Sequence, residues 1–316
     1  MTDGPCTFRH VAVIGPGAVG LCVAIRLAQP DDGPQVTLID RDADRARRLG
    51  GRALWLRSAG GDLRARLPVA LAPASETPPD LVILATKAHQ AAEAARSAAD
   101  WIGDAVLLTL QNGLGVARDV AEALPATPLV VGVTYQAANL VAEGEVHHAA
   151  NIITHLGREG GGPGPAAEAV ADLLRRSGLP ARVEPDMTPV VWRKVVVNAA
   201  INPVAALAGV RNGEVADRPT LAALARRLAA EGRDVARAEG VRLGEEDPAD
   251  AALATARATA DNRCSMLQDL EAGRATEIDY LNGALVARAG AHGVDVPANR
   301  AVTTLVRLLS APENAT

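Results

Sequence analysis

The chain has 316 residues, 48% hydrophobic and 22% charged, with a formal net charge of -5; this balance suits two compact domains and excludes a disordered polymer. Aromatic residues are 2% of the total, so Ala, Val and Leu must build the core, and neither a basic face nor stacking rings point to nucleic acid. Three cysteines, Cys6, Cys22 and Cys264, with no short spacing argue against a disulfide framework or a cysteine zinc site.

Residues Met1 to His10 include Asp3 and lack the apolar run of a secretory leader. The longest apolar stretches are broken by Asn, Lys or Pro before they reach bilayer length. A cytoplasmic protein without a membrane partner is expected. Val11–Ile14, Gln35–Ile39, Leu81–Ala85, Ala105–Leu108, Leu129–Val133 and Ile152–Leu156 read as strands, several of them apolar throughout, as in parallel sheets covered on both faces. Val19–Ala28 and Gln90–Ala99 read as helices between them, and Ala166–Arg176 as a helix after a Gly-rich loop at 160–164. The alternation predicts an α/β fold: a Rossmann-like, doubly wound sheet in residues 1–185. A second, all-helical domain is expected over 186–316. There Pro219, Pro248 and Pro297 stand where first helical turns tolerate proline, and Gly240, Gly273 and Gly293 where helices stop.

Gly15-Pro16-Gly17-Ala18-Val19-Gly20 follows the first strand and opens a helix. Gly15 permits the tight turn, Gly17 lets the backbone approach a pyrophosphate, and Gly20 lets the helix pack close to the strand. The N–H groups of the helix N-terminus, from Ala18 and Val19 onward, would meet the phosphates. The acid Asp40 ends the next strand about twenty residues on, completing a dinucleotide fingerprint. Asp40 would bind the ribose 2′-OH of NADH, whereas Arg41 or the nearby Arg45 would hold the 2′-phosphate of NADPH; the choice stays open at this point.

Lys194, Asn198 and Asn202 recur every fourth residue in WRKVVVNAAINP and share one stripe of an otherwise apolar helix. Burial lowers a lysine pKa toward the working range, so Lys194 can protonate the oxyanion formed when a ketone accepts hydride. The asparagines can hold carbonyl and hydroxyl groups of a polar substrate. Pro203 offers no N–H to the carbonyl of Ala199, and a kink exposing polar groups to a cavity is expected there. Lys87 and Asn112 follow predicted strands at their carboxyl ends, where ligands bind in such sheets. Glu277 is expected to open a helix after Gly273, and Ser265 to lie within one. His147 and His148 are adjacent and should point to opposite faces of an extended segment, so no metal site is assigned. Cys264 is read as an inert buried thiol, and Trp192 and Tyr280 as packing residues.

The segments GPGAVG, ATKAHQ, QNGLG, WRKVVVNAAINP, CSMLQD and TEIDYLNG, in this order, resemble the ketopantoate reductases over almost the whole chain. The resemblance implies NADPH-dependent reduction of a small 2-oxo acid, ketopantoate, to pantoate. It implies Lys194 as general acid, Glu277 orienting the substrate hydroxyl or the lysine, and Asn198, Asn202 and Ser265 binding substrate. Lys87 and Asn112 would stand where nicotinamide and substrate meet, in a cleft between the two domains. Asp40 departs from the family pattern, which relies on an arginine matching Arg41, so NADH stays open as the cofactor. A homodimer is compatible with this reading. The competing readings are a β-hydroxyacid dehydrogenase with Lys194 as base, a reductase of another 2-oxo acid, and a dinucleotide-binding regulator without catalysis.

Overall fold

In the computed structural model, residues 8–74, 78–162 and 164–310 are described; Cys6, most of the N-terminal stretch Met1 to His10, and Pro163 of the Gly-rich loop lie outside them. The chain divides into two compact units, residues 1–111 with 116–187, and residues 112–115 with 188–316.

The first unit runs β1 (His10–Ile14), α1 (Ala18–Leu27), β2 (Gln35–Ile39), α2 (Ala43–Leu49), β3 (Leu54–Arg57), β4 (Leu63–Ala65), β5 (Val69–Ala70), β6 (Leu81–Leu84), α3 (Ala88–Ser97) and β7 (Val106–Thr109). It continues with α4 (Val116–Ala123), β8 (Leu129–Thr134), β9 (Ala137–Ala142), β10 (Glu145–Ala150), β11 (Thr154–Gly157), α5 (Pro165–Arg176) and β12 (Ala181–Val183). Eight strands form one sheet in the order β12-β11-β8-β7-β6-β1-β2-β5. Its pairings are parallel except for β8 with β11. Every residue of β1 and β6 is buried, which is why these strands read as unbroken apolar runs. Because β1 lies between β2 and β6, the chain reverses its direction of travel across the sheet at β1. The carboxyl end of β1 is therefore the switch point where such sheets bind ligands.

A second, four-stranded sheet, β4-β3-β10-β9, was not anticipated from the sequence. Helix α1 packs against strands of both sheets, and its Leu21 and Ile25 share one core with Leu54, Leu56 and Val146. A helix covered on two sides must be apolar on two sides, and only Val19, Ala18 and Arg26 of α1 escape full burial. On β10, His147 is exposed and His148 buried, the alternation expected of adjacent residues in a strand.

The second unit is helical: α6 (Thr188–Ala208), α7 (Asn212–Asp217), α8 (Pro219–Ala238), α9 (Pro248–Ala258), α10 (Ser265–Glu271), a single 3-10 turn at Ile278–Tyr280, α11 (Asn282–His292) and α12 (Pro297–Ser310). Pro219, Pro248 and Pro297 each begin a helix, and Gly293 ends α11 in the left-handed conformation at φ +67°. Helix α6 is long and apolar enough to cross a bilayer, but its sides are taken by α7, α8, α9, α10 and α12. Burial inside a bundle accounts for its composition.

The helix runs on through Pro203, the position where a kink opening onto a cavity is expected. Its α-helical path continues to Ala208. The carbonyl of Ala199, deprived of its i+4 donor, accepts instead from Asn282 Nδ2 at 2.9 Å. A buried side chain thus takes the place of the missing peptide N–H, and the freed oxygen faces protein rather than a cavity.

Candidate active site

In the first unit the loops at the carboxyl ends of β1, β2, β6 and β7 converge. Gly15 has φ +99°, and a Cβ there would lie 3.0 Å from the Thr86 backbone; the glycine lets the first turn rest against the residue that precedes Lys87. Its N–H donates to Ile39 O at 3.0 Å, which fixes the turn beside Asp40. A Cβ on Gly20 would fall 2.0 Å from Gly15 O, whereas one on Gly17 would meet nothing within 4 Å. So Gly20 keeps α1 close to its own turn, and Gly17 leaves space in front of the helix. Gly17 caps α1 without a side-chain hydrogen bond, and no acid stands in its first turn. The N–H groups at Ala18 and Val19 therefore begin an unopposed positive end, and the space and the donor set fit a pyrophosphate. Lys87 is the N-cap of α3, and Gln111 Nε2 donates to Thr86 Oγ1 at 3.4 Å.

Asp40 is 1% exposed. Its Oδ1 accepts from Arg45 Nη2 at 2.7 Å and from Asp42 N at 3.1 Å, and its Oδ2 accepts from Arg45 Nε. Arg41 is exposed. The acid anticipated as a ribose ligand is thus turned inward onto Arg45, and Arg45, anticipated as a phosphate ligand, is engaged with that acid.

In the second unit, α6 carries Lys194, Asn198 and Asn202, all half-buried, on a helix whose Val195, Val196, Ala199, Ala200 and Ile201 are buried. Desolvation lowers the Lys194 pKa from 10.5 to about 8, and the charge of Glu277 opposes that shift. Glu277 is buried. It precedes only the short 3-10 turn, not the full helix expected, because Leu281 at φ −103° and ψ −99° interrupts the helical path before α11 starts at Asn282. Asn112 Nδ2 donates to Glu277 Oε2 at 3.5 Å, while Asn112 Oδ1 is buried without a partner. The contact depends on Gly113. At φ +130°, a Cβ on this residue would lie 2.5 Å from Tyr280 Cβ, and the next residue, Leu114, donates its N–H to Tyr280 O at 2.9 Å. A glycine is needed for the Asn112 loop to sit on the Glu277 turn.

Ser265 is exposed and begins α10 rather than lying inside it. The preceding Cys264 is the cap: its Sγ accepts from Leu267 N at 3.4 Å and donates to Asn202 O at 3.5 Å. Burial raises the Cys264 thiol to about 11, which leaves it protonated and inert. Trp192 is buried with the Arg288 guanidinium 5.5 Å from its ring centre.

Asn112, Lys194 and Glu277 thus gather in the second unit, and the glycine turn, Asp40 and the Lys87 loop gather in the first. Sequence reasoning missed Asn282, although it lies in TEIDYLNG. The signal was Pro203, which requires a donor from elsewhere for Ala199 O.

Both halves of the chain match known proteins. Residues 11–160 match the family model described as "Ketopantoate reductase PanE/ApbA", and residues 186–310 match "Ketopantoate reductase PanE/ApbA C terminal". A 2-dehydropantoate 2-reductase of Halobacterium salinarum is 37% identical over 95% of this chain and 98% of its own length. The crystal structure of a PanE/ApbA family ketopantoate reductase from Ralstonia eutropha JMP134 matches with a TM-score of 0.85 and 28% identity, covering 95% of this chain and 98% of that one. The ternary structure of D-mandelate dehydrogenase with NADH and anilino(oxo)acetate matches with a TM-score of 0.86 and 27% identity over the same shares. These matches do not favour a β-hydroxyacid dehydrogenase or a non-catalytic regulator. With both halves matched, the chain belongs to the ketopantoate reductase family of oxidoreductases.

Proposed function

We propose that the protein reduces 2-dehydropantoate (ketopantoate) to pantoate with NADPH, in the cytoplasm, residues 1–185 serving the dinucleotide and 186–316 the keto acid. The observation that carries the reading is the group of Lys194, Glu277 and Asn112, with a lysine pKa of about 8. At neutral pH such a lysine is still mostly charged and needs little driving force to give up its proton. The bound dinucleotide supplies the hydride. Lys194 protonates the carbonyl oxygen as it becomes an alkoxide and is recharged from solvent. Glu277 holds the lysine charge and orients the substrate hydroxyl. The unpartnered Asn112 Oδ1 is a buried acceptor that a substrate hydroxyl would satisfy. Asn198, Asn202 and the exposed Ser265 hold the remaining polar groups of the acid. Gly15, Gly17, Ala18, Val19 and Gly20 hold the pyrophosphate, Lys87 stands near the nicotinamide, and Arg41 receives the 2′-phosphate.

The test is a steady-state panel of 2-oxo acids, ketopantoate and an aryl-oxoacetate among them, with NADPH and with NADH. The reading requires the highest kcat/KM for ketopantoate with NADPH. A clear preference for the aromatic acid would replace the substrate but keep the chemistry. A homodimer belongs to the same proposal, supported by the exposed Leu305, Leu308 and Leu309 on α12; sedimentation equilibrium reads it directly.

A further inference from the structure

We propose that Arg45 sets dinucleotide choice by cancelling the charge of Asp40, so that a residue of the NADH-selecting type becomes compatible with NADPH. The inference rests on the dinucleotide reading above and goes beyond it, because it gives Arg45 a role that depends on Asp40.

Asp40 follows the last residue of β2, whose carbonyl is tied to Gly15 N at 3.0 Å. An acid in this place, beside the phosphate turn, accepts from the ribose hydroxyls of NADH and repels a 2′-phosphate. That discrimination needs an accessible, uncompensated carboxylate. Here the side chain is fully covered. Both oxygens are occupied, Oδ1 by Arg45 Nη2 and Asp42 N, and Oδ2 by Arg45 Nε. The two-pronged grip matches guanidinium to carboxylate along both oxygens, an arrangement a lysine cannot reproduce.

The local sequence builds the grip. Asp42 caps α2, its Oδ1 accepting from Asp44 N at 2.9 Å and from Arg45 N at 3.0 Å. This fixes the first turn of α2 and turns the Asp42 carboxylate onto backbone N–H groups. Arg45 can then reach back five residues to Asp40. The other acids around this corner are also engaged: Asp44 with Arg47, and Glu143 with Arg48. Arg45 itself stays 40% exposed, and Arg41 is exposed beside it. With Asp40 covered, the groups beside it that reach solvent include the guanidinium groups of Arg41 and Arg45.

The roles of Arg45 as a shield and as a simple phosphate ligand separate in a double mutant. Dissociation constants for NADP+ and NAD+, and for 2′,5′-ADP and 5′-AMP, are measured by calorimetry on the full-length protein without keto acid. Arg45→Ala uncovers Asp40, and the NADP+ to NAD+ affinity ratio should fall roughly 10- to 100-fold, less than the full effect of an uncompensated buried charge because Arg45 is 40% exposed. Asp40→Asn/Arg45→Ala removes the uncovered charge and should recover most of that ratio. Arg45→Lys, with charge but no fork, should fall between. The proposal is overturned if Arg45→Ala leaves the ratio unchanged, or if the double variant is as impaired as Arg45→Ala, which would make Arg45 a phosphate ligand only. Should Arg45→Ala unfold, Asp40→Asn decides alone: the proposal requires it to keep or raise the ratio, and a fall contradicts it. Because no keto acid is present, a wrong substrate leaves this readout intact. Failure of the unaltered protein to bind any nicotinamide dinucleotide would instead remove the underlying reading.

Discussion

Asn282 Nδ2 donates to Ala199 O at 2.9 Å, the carbonyl that Pro203 leaves without its helical partner. The same amide reaches Asn299 Oδ1 at 3.0 Å, and Asn299 Nδ2 in turn reaches Glu231 Oε2 at 2.8 Å. Asn282 and Asn299 are fully buried and Glu231 is 4% exposed. One polar chain therefore ties α6 to α11, α12 and α8 around the helix that carries Lys194. Asn282→Leu should cost about 2–4 kcal/mol in urea unfolding, because two buried acceptors lose their donor. Pro203→Ala returns an N–H to Ala199 O. The cost of Asn282→Leu should therefore be smaller by ~1 kcal/mol in the Pro203→Ala background. Strict additivity would show that Asn282 does not substitute for the missing peptide donor.

Gly113→Ala should lower both stability and turnover. The new methyl would require φ +130° and meet Tyr280 Cβ at 2.5 Å. The expected loss is about 2 kcal/mol or more, from strain plus overpacking. Displacement of Asn112 from Glu277 should raise KM for the keto acid. Unchanged KM and melting temperature would show that the loop does not depend on this close approach.

The pH dependence of reduction follows from the lysine. Lys194 loses its proton near pH 8, so kcat for reduction should fall as pH rises through that value, the acid form being required. Glu277 raises the Lys194 pKa, so Glu277→Gln should move the falling limb to lower pH as well as slow the reaction. A limb that stays in place would remove Glu277 from the lysine's surroundings.

The same burial carries a stability consequence. Below about pH 8 the folded protein holds a charged, desolvated Lys194 whose pKa lies under the ordinary 10.5. The penalty is fully present below the folded pKa and is relieved as pH rises toward the unfolded value. Lys194→Met should raise the melting temperature at neutral pH by roughly 2–4 °C, about 1 kcal/mol after allowance for partial exposure. The gain should shrink in alkaline buffer. A variant less stable than the parent at every pH would show that Lys194 contributes to the fold instead of straining it.

Much of this was legible in the sequence where period and punctuation are strong. The buried strands β1, β2 and β6 are apolar runs closed by turns, and Pro219, Pro248 and Pro297 marked helix starts by the hydrogen bond each lacks. The small second sheet was not legible: β3 and β4 are only four and three residues long, and β10 reads as polar because one of its faces is wet. Ser265 was misplaced by the same kind of gap, since a cysteine rarely announces a helix cap. The pairing of Asp40 with Arg45 was beyond reach for a different reason. Sequence spacing puts two groups within range but does not say which partner each takes, and here each satisfies the other.

The central claim is that Lys194 supplies the proton, and Lys194→Ala tests it most directly when turnover of ketopantoate and affinity for the dinucleotide are measured on the same preparation. Turnover should fall ~10²-fold or more with dinucleotide affinity essentially unchanged, the scale of a lost general acid. Turnover within a few-fold of the parent would contradict the account.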